Sequence, residues 1–234
     1  MSFTPEPRVP SPESRPFPIA VLVSGRGSNL AALIDARDAG TLPITLTLVA
    51  SDKADAPALR RAEAHGIPTL ALDPKTFASR REFDEALFAN IAASGARLVV
   101  LAGYMRILDA AVTSQWAGRI INIHPSLLPK YRGLHTHRRA LKAGDLEHGA
   151  SVHFVSAELD GGPVIAQTRI DVQTGDTEDS LAARLLPREH RLLVACVDAI
   201  ARGVVCERDG KVWFLDRPIA APLRLDETGR LLAA

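Results

Sequence analysis

What most constrains this chain is a repeated change of apolar period between residues 19 and 123. Short apolar runs at Ile19–Val23, Ile44–Ala50, Pro68–Leu72, Leu98–Leu101 and Ile120–Ile123 alternate with stretches of helical spacing. Asn29–Ala39 repeats through Leu30, Leu33 and Ile34; Ala56–His65 reads as a helix closed by Gly66. Arg80–Ala93 sets Phe83, Leu87, Phe88 and Ile91 on one face, and a further helical stretch lies between Leu101 and Ile120. Apolar runs separated by helices are what a parallel sheet covered on both faces requires. The expected fold class is therefore α/β: a Rossmann-like, open, mainly parallel twisted sheet with helices on both faces.

Beyond Ile123 the pattern changes. HPSLLPKYRGLHTH holds two prolines and a glycine within fourteen residues and reads as a long loop rather than one regular element. Gly149–Val155 and Val164–Val172 read as strands joined by SAELDGG, a turn-rich link suited to antiparallel pairing, so the sheet is expected to carry an antiparallel C-terminal portion. A last helix is expected from about Thr177 to Ala201, and a small hairpin around Asp209-Gly210 within Val204–Leu215. At the other end, MSFTPEPRVPSPESRP carries five prolines and scattered apolar side chains, which reads as a disordered leader over residues 1–16. Residues 17–234 are expected to form a single domain, its N-terminal half holding a phosphate site and its C-terminal half completing the reaction site.

Composition narrows the function classes. The 28 Lys+Arg against 27 Asp+Glu leave a net charge of +1, which gives no bulk attraction to nucleic acid or to an anionic membrane. No apolar run approaches the length of a bilayer span, and the leader lacks the apolar core of a secretory signal. Cys196 and Cys206 are too few for a disulfide scaffold and lack metal-ligand spacing; Cys196 reads as a small core residue. The expected setting is the cytoplasm. A metal reading of His135, His137, His148 and His153 with Asp145 and Glu147 is disfavoured by poor spacing, so no metal is expected.

Three constellations carry chemistry. SGRGSN, Ser24 to Asn29, ends the first strand with two glycines, and Asn29 is placed to cap the helix that follows; such a helix start is an anion site. Leu30 stands where a dinucleotide fingerprint has its third glycine, so a phosphate monoester fits better than a pyrophosphate, with a plain strand-helix turn as the structural alternative. Asn122 and His124 alternate about Ile123 at a strand's carboxyl end, an amide and an imidazole placed for acyl-group chemistry or, alternatively, a histidine tied to a nearby carbonyl. Asp160, in ELDGG, reads either as a solvated turn or as a carboxylate that orients His124 and raises its pKa. Glu189 falls on the apolar stripe of Leu181, Leu185, Leu192 and Cys196, lining a pocket unless Pro187 resets the helix phase.

Taken in order, SGRGSN, LAGYMRIL (Leu101–Leu108), NIHPSLLPKYRGLHTH (Asn122–His137) and HGASVHFVSAELDGGPVI (His148–Ile165) resemble the phosphoribosylglycinamide formyltransferases, the folate-dependent glycinamide ribonucleotide transformylases, from about Ile19 to Ile200. The resemblance implies transfer of a formyl group from 10-formyltetrahydrofolate, as co-substrate, to the amino group of glycinamide ribonucleotide in de novo purine biosynthesis, a step of one-carbon metabolism. It implies a catalytic trio of Asn122, His124 and Asp160, ribonucleotide contacts from Gly27, Ser28, Asn29 and Glu189, and folate contacts from Arg80, Met105, Arg106, Ile107, Leu108 and Asn122. The implied partners are these two small molecules, with no nucleic acid or membrane and the oligomeric state, monomer or homodimer, left open. Two positions depart from the pattern: Arg26 in the first turn, and Arg132 where the family often has proline. KYRG also resembles a segment of methionyl-tRNA formyltransferase, but LHTHRRAL follows and no second basic domain for tRNA is evident.

Other classes remain open to the sequence. A formyltetrahydrofolate deformylase would consume the donor alone. A dinucleotide-binding oxidoreductase would pair SGRGSN with Asp52 at the second strand's end, and a nucleotide sensor would bind without turnover. The leader carries a first prediction: deleting Met1–Arg15 is expected to leave the melting temperature and both KM values unchanged, because the first apolar run begins at Ile19. A loss of several degrees in a thermal melt would contradict it.

Overall fold

The computed structural model describes residues 16–233, so the leader reading falls, except for Pro16, outside the described residues. The first half follows the strand-helix alternation: β1 (Phe17–Val23), α1 (Ser28–Asp38), β2 (Ile44–Ser51), α2 (Pro57–Ala64), β3 (Thr69–Ala71), α3 (Arg80–Ala93), β4 (Leu98–Leu101), α4 (Ala110–Gln115) and β5 (Ile120–His124). Then come α5 (Thr136–Ala143), β6 (Glu147–Phe154), β7 (Val164–Asp171) and α6 (Glu178–Ala201). Five short strands close the described chain: β8 (Val205–Arg208), β9 (Lys211–Phe214), β10 (Arg217–Pro218), β11 (Leu223–Leu225) and β12 (Leu231–Leu232).

Nine strands form one sheet in the order β12, β11, β7, β6, β5, β4, β1, β2, β3, while β10, β9 and β8 form a separate antiparallel sheet. Strands β3, β2, β1, β4 and β5 are mutually parallel; β6 is antiparallel to both β5 and β7. Alternation along β1 explains the three layers. Ile19, Val21 and Val23 pack with Leu30, Leu33, Leu59, Leu185 and Leu192 from α1, α2 and α6. Ala20 and Leu22 pack on the opposite face with Phe83, Leu87, Phe88 and Ile91 of α3 and Val112 of α4. Burial on both faces is why the strand lacks a polar side.

The chain runs outward from β1 through β2 to β3, then returns to the other side of β1 at β4. The loops leaving β1 and β4 diverge there and open a crevice at the carboxyl ends of the strands. Sequence expectations fail at two places. The long loop is irregular only over 125–135, because its last two residues, Thr136 and His137, begin α5. That helix buries only Thr136 and Ala140 and has no side-chain N-cap, so it carries no apolar stripe to read. The strands beyond the hairpin, β10 to β12, also have no sequence signal; β11 is short and takes its place by pairing with β7. Among the described residues no helix is long and apolar enough to cross a membrane.

Gly149 shows how closely the added antiparallel strands are packed. A Cβ there would stand 2.1 Å from the Thr168 carbonyl oxygen and 2.6 Å from Leu127 Cδ2. Gly149→Ala is expected to destabilise the protein by about 2–3 kcal/mol through overpacking, measured as a lower midpoint in urea unfolding with an unchanged slope.

Candidate active site

The crevice holds the residues singled out in the sequence. Asn122 and His124 leave the same face of β5, opposite His153 and Ser151 of β6. Asp160 sits in the β6–β7 link in a left-handed conformation, φ 47°, which turns its carboxylate inward. There it is not solvated: its side chain is 9% exposed, and Oδ2 accepts a hydrogen bond from the Gly133 N–H at 2.8 Å. His124 Nδ1 lies 3.5 Å from Oδ2, and His153 Nε2 lies 3.6 Å from Oδ1. Burial raises the pKa of Asp160, but the His153 contact, the Gly133 N–H and the histidine charges together lower it to about 2. The carboxylate is thus ionised throughout the physiological range.

His124 corrects one expectation. Its pKa lies below the ordinary 6.5, because burial outweighs the Tyr131 carbonyl and the Asp160 charge. In the unliganded protein the ring is predominantly neutral at pH 7, not held charged by Asp160. Its Nε2 donates to the Tyr131 carbonyl at 3.0 Å, a contact made by Tyr131 in a left-handed conformation, φ 58°. Both readings of this histidine therefore meet in one ring: it is tied to a loop carbonyl on one side and faces a carboxylate on the other.

Sequence reasoning missed His153 as a member of this cluster and considered it only as a metal ligand. The ring is 2% exposed. Its Nδ1–H donates to the Phe154 carbonyl at 2.8 Å, which leaves Nε2 to accept from the Asn122 amide at 3.1 Å. The signal was present in the alternation of Gly149, Ser151 and His153 along β6, one face of small or polar residues against Asn122 and His124. Ser151 braces the same region by accepting from the Leu128 N–H at 3.0 Å and donating to the Ser126 carbonyl at 2.7 Å. His137 and His148 form a separate pair, Nδ1 to Nε2 at 2.9 Å. Among the described residues no group of three or more candidate ligands is placed to hold a metal ion.

A cavity of about 90 Å³ opens beside the cluster, walled by Tyr104, Arg106, Ile107 and Leu108 on one side and Asn122, His153 and Asp160 on the other. Met105 and Arg80, expected at the folate site, do not wall it. Met105 is 67% exposed, and Arg80 is exposed at the start of α3. The loop is tied to the first turn: Met105 N–H donates to Ser24 Oγ at 2.9 Å, and that hydroxyl donates to Asp52 Oδ1 at 2.6 Å. Asp52 is thereby engaged in bracing the crevice, which removes it from the role a dinucleotide site would need.

In the first turn Gly27, not Asn29, occupies the N-cap position, with φ 71° and no side-chain cap. The reason is steric. A Cβ on Gly27 would meet Ala58 Cβ at 2.5 Å, so only glycine fits between α1 and α2. The first N–H groups of α1 have no side-chain cap, and Asn29 Oδ1 is buried without a partner, among the described residues. Arg26 is exposed beside this turn. On α6, Pro187 does not reset the phase: the helix is continuous and Glu189 is 8% exposed on its buried face. Glu189 does not wall the cavity beside Asn122 and Asp160.

An open sheet with an imidazole, an amide and a buried carboxylate at its switch point defines a small-molecule group-transfer enzyme. The profile of the formyl transferase family matches residues 18–197, and the chain belongs to that family, within its phosphoribosylglycinamide formyltransferases. It is 49% identical over 196 residues to the phosphoribosylglycinamide formyltransferase of Escherichia coli strain K12, covering 84% of this chain and 92% of that one. The structure of the phosphoribosylglycinamide formyltransferase of Coxiella burnetii superposes with a TM-score of 0.85 at 44% identity, covering 88% of this chain and 97% of that one. The trifunctional purine biosynthetic protein adenosine-3 of Gallus gallus is 43% identical over 187 residues, 80% of this chain but 19% of that protein.

Glu189 gives a test of electrostatics in the buried face of α6. Burial alone, with no partner among the described residues, raises its carboxyl to about 7. Because the folded value lies above the ordinary 4.5, the folded chain holds the proton more tightly; the associated stability is full below about pH 4.5 and lost as pH rises through about 7. Glu189→Gln is expected to remove this dependence and to raise stability at pH 8, relative to pH 4.5, by on the order of 3 kcal/mol. Urea unfolding of both proteins at the two pH values measures the difference.

Proposed function

We propose that the protein transfers the formyl group of 10-formyltetrahydrofolate to the amino group of glycinamide ribonucleotide, giving formylglycinamide ribonucleotide and tetrahydrofolate. One observation carries this reading: Asp160, from a distant link, meets Asn122 and His124 of β5 beside a cavity walled by Tyr104, Arg106, Ile107 and Leu108, in a chain 49% identical to an enzyme of that name. In this reading a single domain from residue 17 carries both substrates. The uncapped start of α1 at Gly27, Ser28 and Asn29 receives the ribonucleotide phosphate, whose charge suits a helix N-terminus. Glu189 faces the same substrate. Arg80 and the Met105–Leu108 loop receive the folate, and the cytoplasm is the setting these soluble reactants imply.

The chemistry follows from proton positions. The substrate amine attacks the formyl carbon, a C–N bond forms, and the carbonyl becomes an oxyanion. Asn122 has one amide N–H committed to His153 and a second available for that oxyanion. For His124 to act at Nε2, the Tyr131 carbonyl must give up its hydrogen bond and the ring proton must move to Nδ1, where Asp160 accepts it. Nε2 then takes the proton of the attacking amine and delivers it to the departing folate nitrogen as the second C–N bond breaks. A ring that starts neutral is suited to this order, and the fixed negative charge of Asp160 favours the imidazolium that forms.

His124→Ala is expected to lower kcat by on the order of 10²-fold or more while ribonucleotide affinity changes little. The free-enzyme pH profile of kcat/KM is expected to fall on an acid limb below 6.5, the ordinary value above the His124 pKa. Asp160 raises that pKa, so Asp160→Asn moves the limb to lower pH and reduces kcat. The deciding assay follows 10-formyltetrahydrofolate with and without glycinamide ribonucleotide. Consumption that ignores the ribonucleotide would replace this reading with a hydrolase, and a His124→Ala protein of wild-type rate would remove the mechanism.

A further inference from the structure

The loop from Gly103 to Asp109 is anchored at both ends by carboxylates that the mechanism does not use. At its front, Asp52 holds Ser24, and Ser24 holds the Met105 N–H. At its rear, Asp84 of α3 accepts the Asp109 N–H at 2.7 Å, and Asp109 in turn caps α4 by accepting the Ala111 N–H at 2.9 Å. Asp84 is the unusual member. It is fully buried on the apolar face of α3 among Phe83, Leu87 and Phe88, and its second oxygen has no hydrogen-bond partner among the described residues. A buried carboxylate with a single hydrogen bond is costly, and natural cores pair such groups.

Two polar atoms of the loop itself are also buried without a hydrogen-bond partner among the described residues, Arg106 Nε and the Tyr104 hydroxyl. The Arg106 guanidinium lies over the Phe83 ring at 4.8 Å, on the residue next to Asp84. Burial raises the Asp84 pKa, while the Asp109 N–H and then the Arg106 and Arg80 charges lower it, which places Arg106 within electrostatic reach. Arg106 and Tyr104 also wall the cavity. The unmatched donor thus belongs to a cavity-wall residue, and the unmatched acceptor to the helix whose Phe83 that residue packs over.

We propose that Asp84 is a positioning residue for the folate loop, and that an Asp84–Arg106 ion pair forms as the cavity fills. Asp84 touches no substrate; it fixes the Asp109 end of the loop and draws Arg106 inward, so that Ile107 and Leu108 keep the shape of the wall. The inference rests on the transformylase reading, since it names the folate as the ligand.

Binding of tetrahydrofolate, measured by calorimetry, tests it with Asp84→Asn, Arg106→Gln and the double variant. Each single change is expected to weaken binding about five- to tenfold, and the double variant no more than either, because both remove one pair. The KM for glycinamide ribonucleotide is expected to stay within about twofold. A wild-type protein that binds no tetrahydrofolate overturns the transformylase reading along with this inference. A wild-type protein that binds it, with Asp84→Asn binding equally well, overturns the inference alone, as does full multiplication of the two effects in the double variant. Should Asp84→Asn not fold, unchanged affinity in Arg106→Gln is the overturning result.

Discussion

The candidate active site depends on one buried anion. Asp160 is withdrawn from water in the β6–β7 link, and a desolvated carboxylate survives as an anion only when donors or positive charge lie close to it. The Gly133 N–H donates to it, and the His124 and His153 rings lie 3.5 and 3.6 Å away, where any charge they gain favours the anion, which ties the loop after β5 and the strand β6 to this point. Its place is set by backbone geometry as much as by charge. Asp160 is left-handed, and the Gly162 that follows lies where a Cβ would stand 1.9 Å from the Phe154 carbonyl oxygen. The reversal that turns the carboxylate inward is therefore open only to a chain with glycine at that position.

From that anion the remaining contacts follow in two directions. Through His153 it reaches Asn122, whose amide orientation is fixed because His153 donates from Nδ1 to the Phe154 carbonyl and accepts at Nε2. Through His124 it meets a competing interaction, the Tyr131 carbonyl. Burial sets the balance between them: it keeps the ring neutral and leaves the Nε2 hydrogen on the loop. The Nε2 of the unliganded ring is thus covered by the loop. In the proposed mechanism the loop must yield that contact, which couples substrate binding to the protonation pattern of the ring.

Much of the fold was legible in the sequence. In β1, β2, β4 and β5 and in α1 and α3 the apolar period is dictated by burial on one or two faces, and burial of this kind recurs at every turn or every second residue. The bounds of α3 and β4 coincide with the sequence reading. Where burial is slight, legibility fails: α5 buries only two of its eight residues, and β10 and β12 are two residues each. Asn29 was misplaced as a helix cap for a related reason. The choice between Gly27 and Asn29 at the N-cap is made by the closeness of Ala58, which belongs to another helix.

The sequence by itself determined the class of sheet, the position of its carboxyl-end loops and the residue types available there, because those follow from local periodicity and from side-chain chemistry. It also carried the family resemblance, through motifs long enough to be specific. Tertiary structure alone decided which of those residues act together. It brought His153 to Asn122, joined Asp160 to Gly133 and left Glu189 buried without a partner. It alone set the protonation of His124, because desolvation is produced by the whole fold packed around a ring, and no stretch of sequence near His124 records how much water that packing removes.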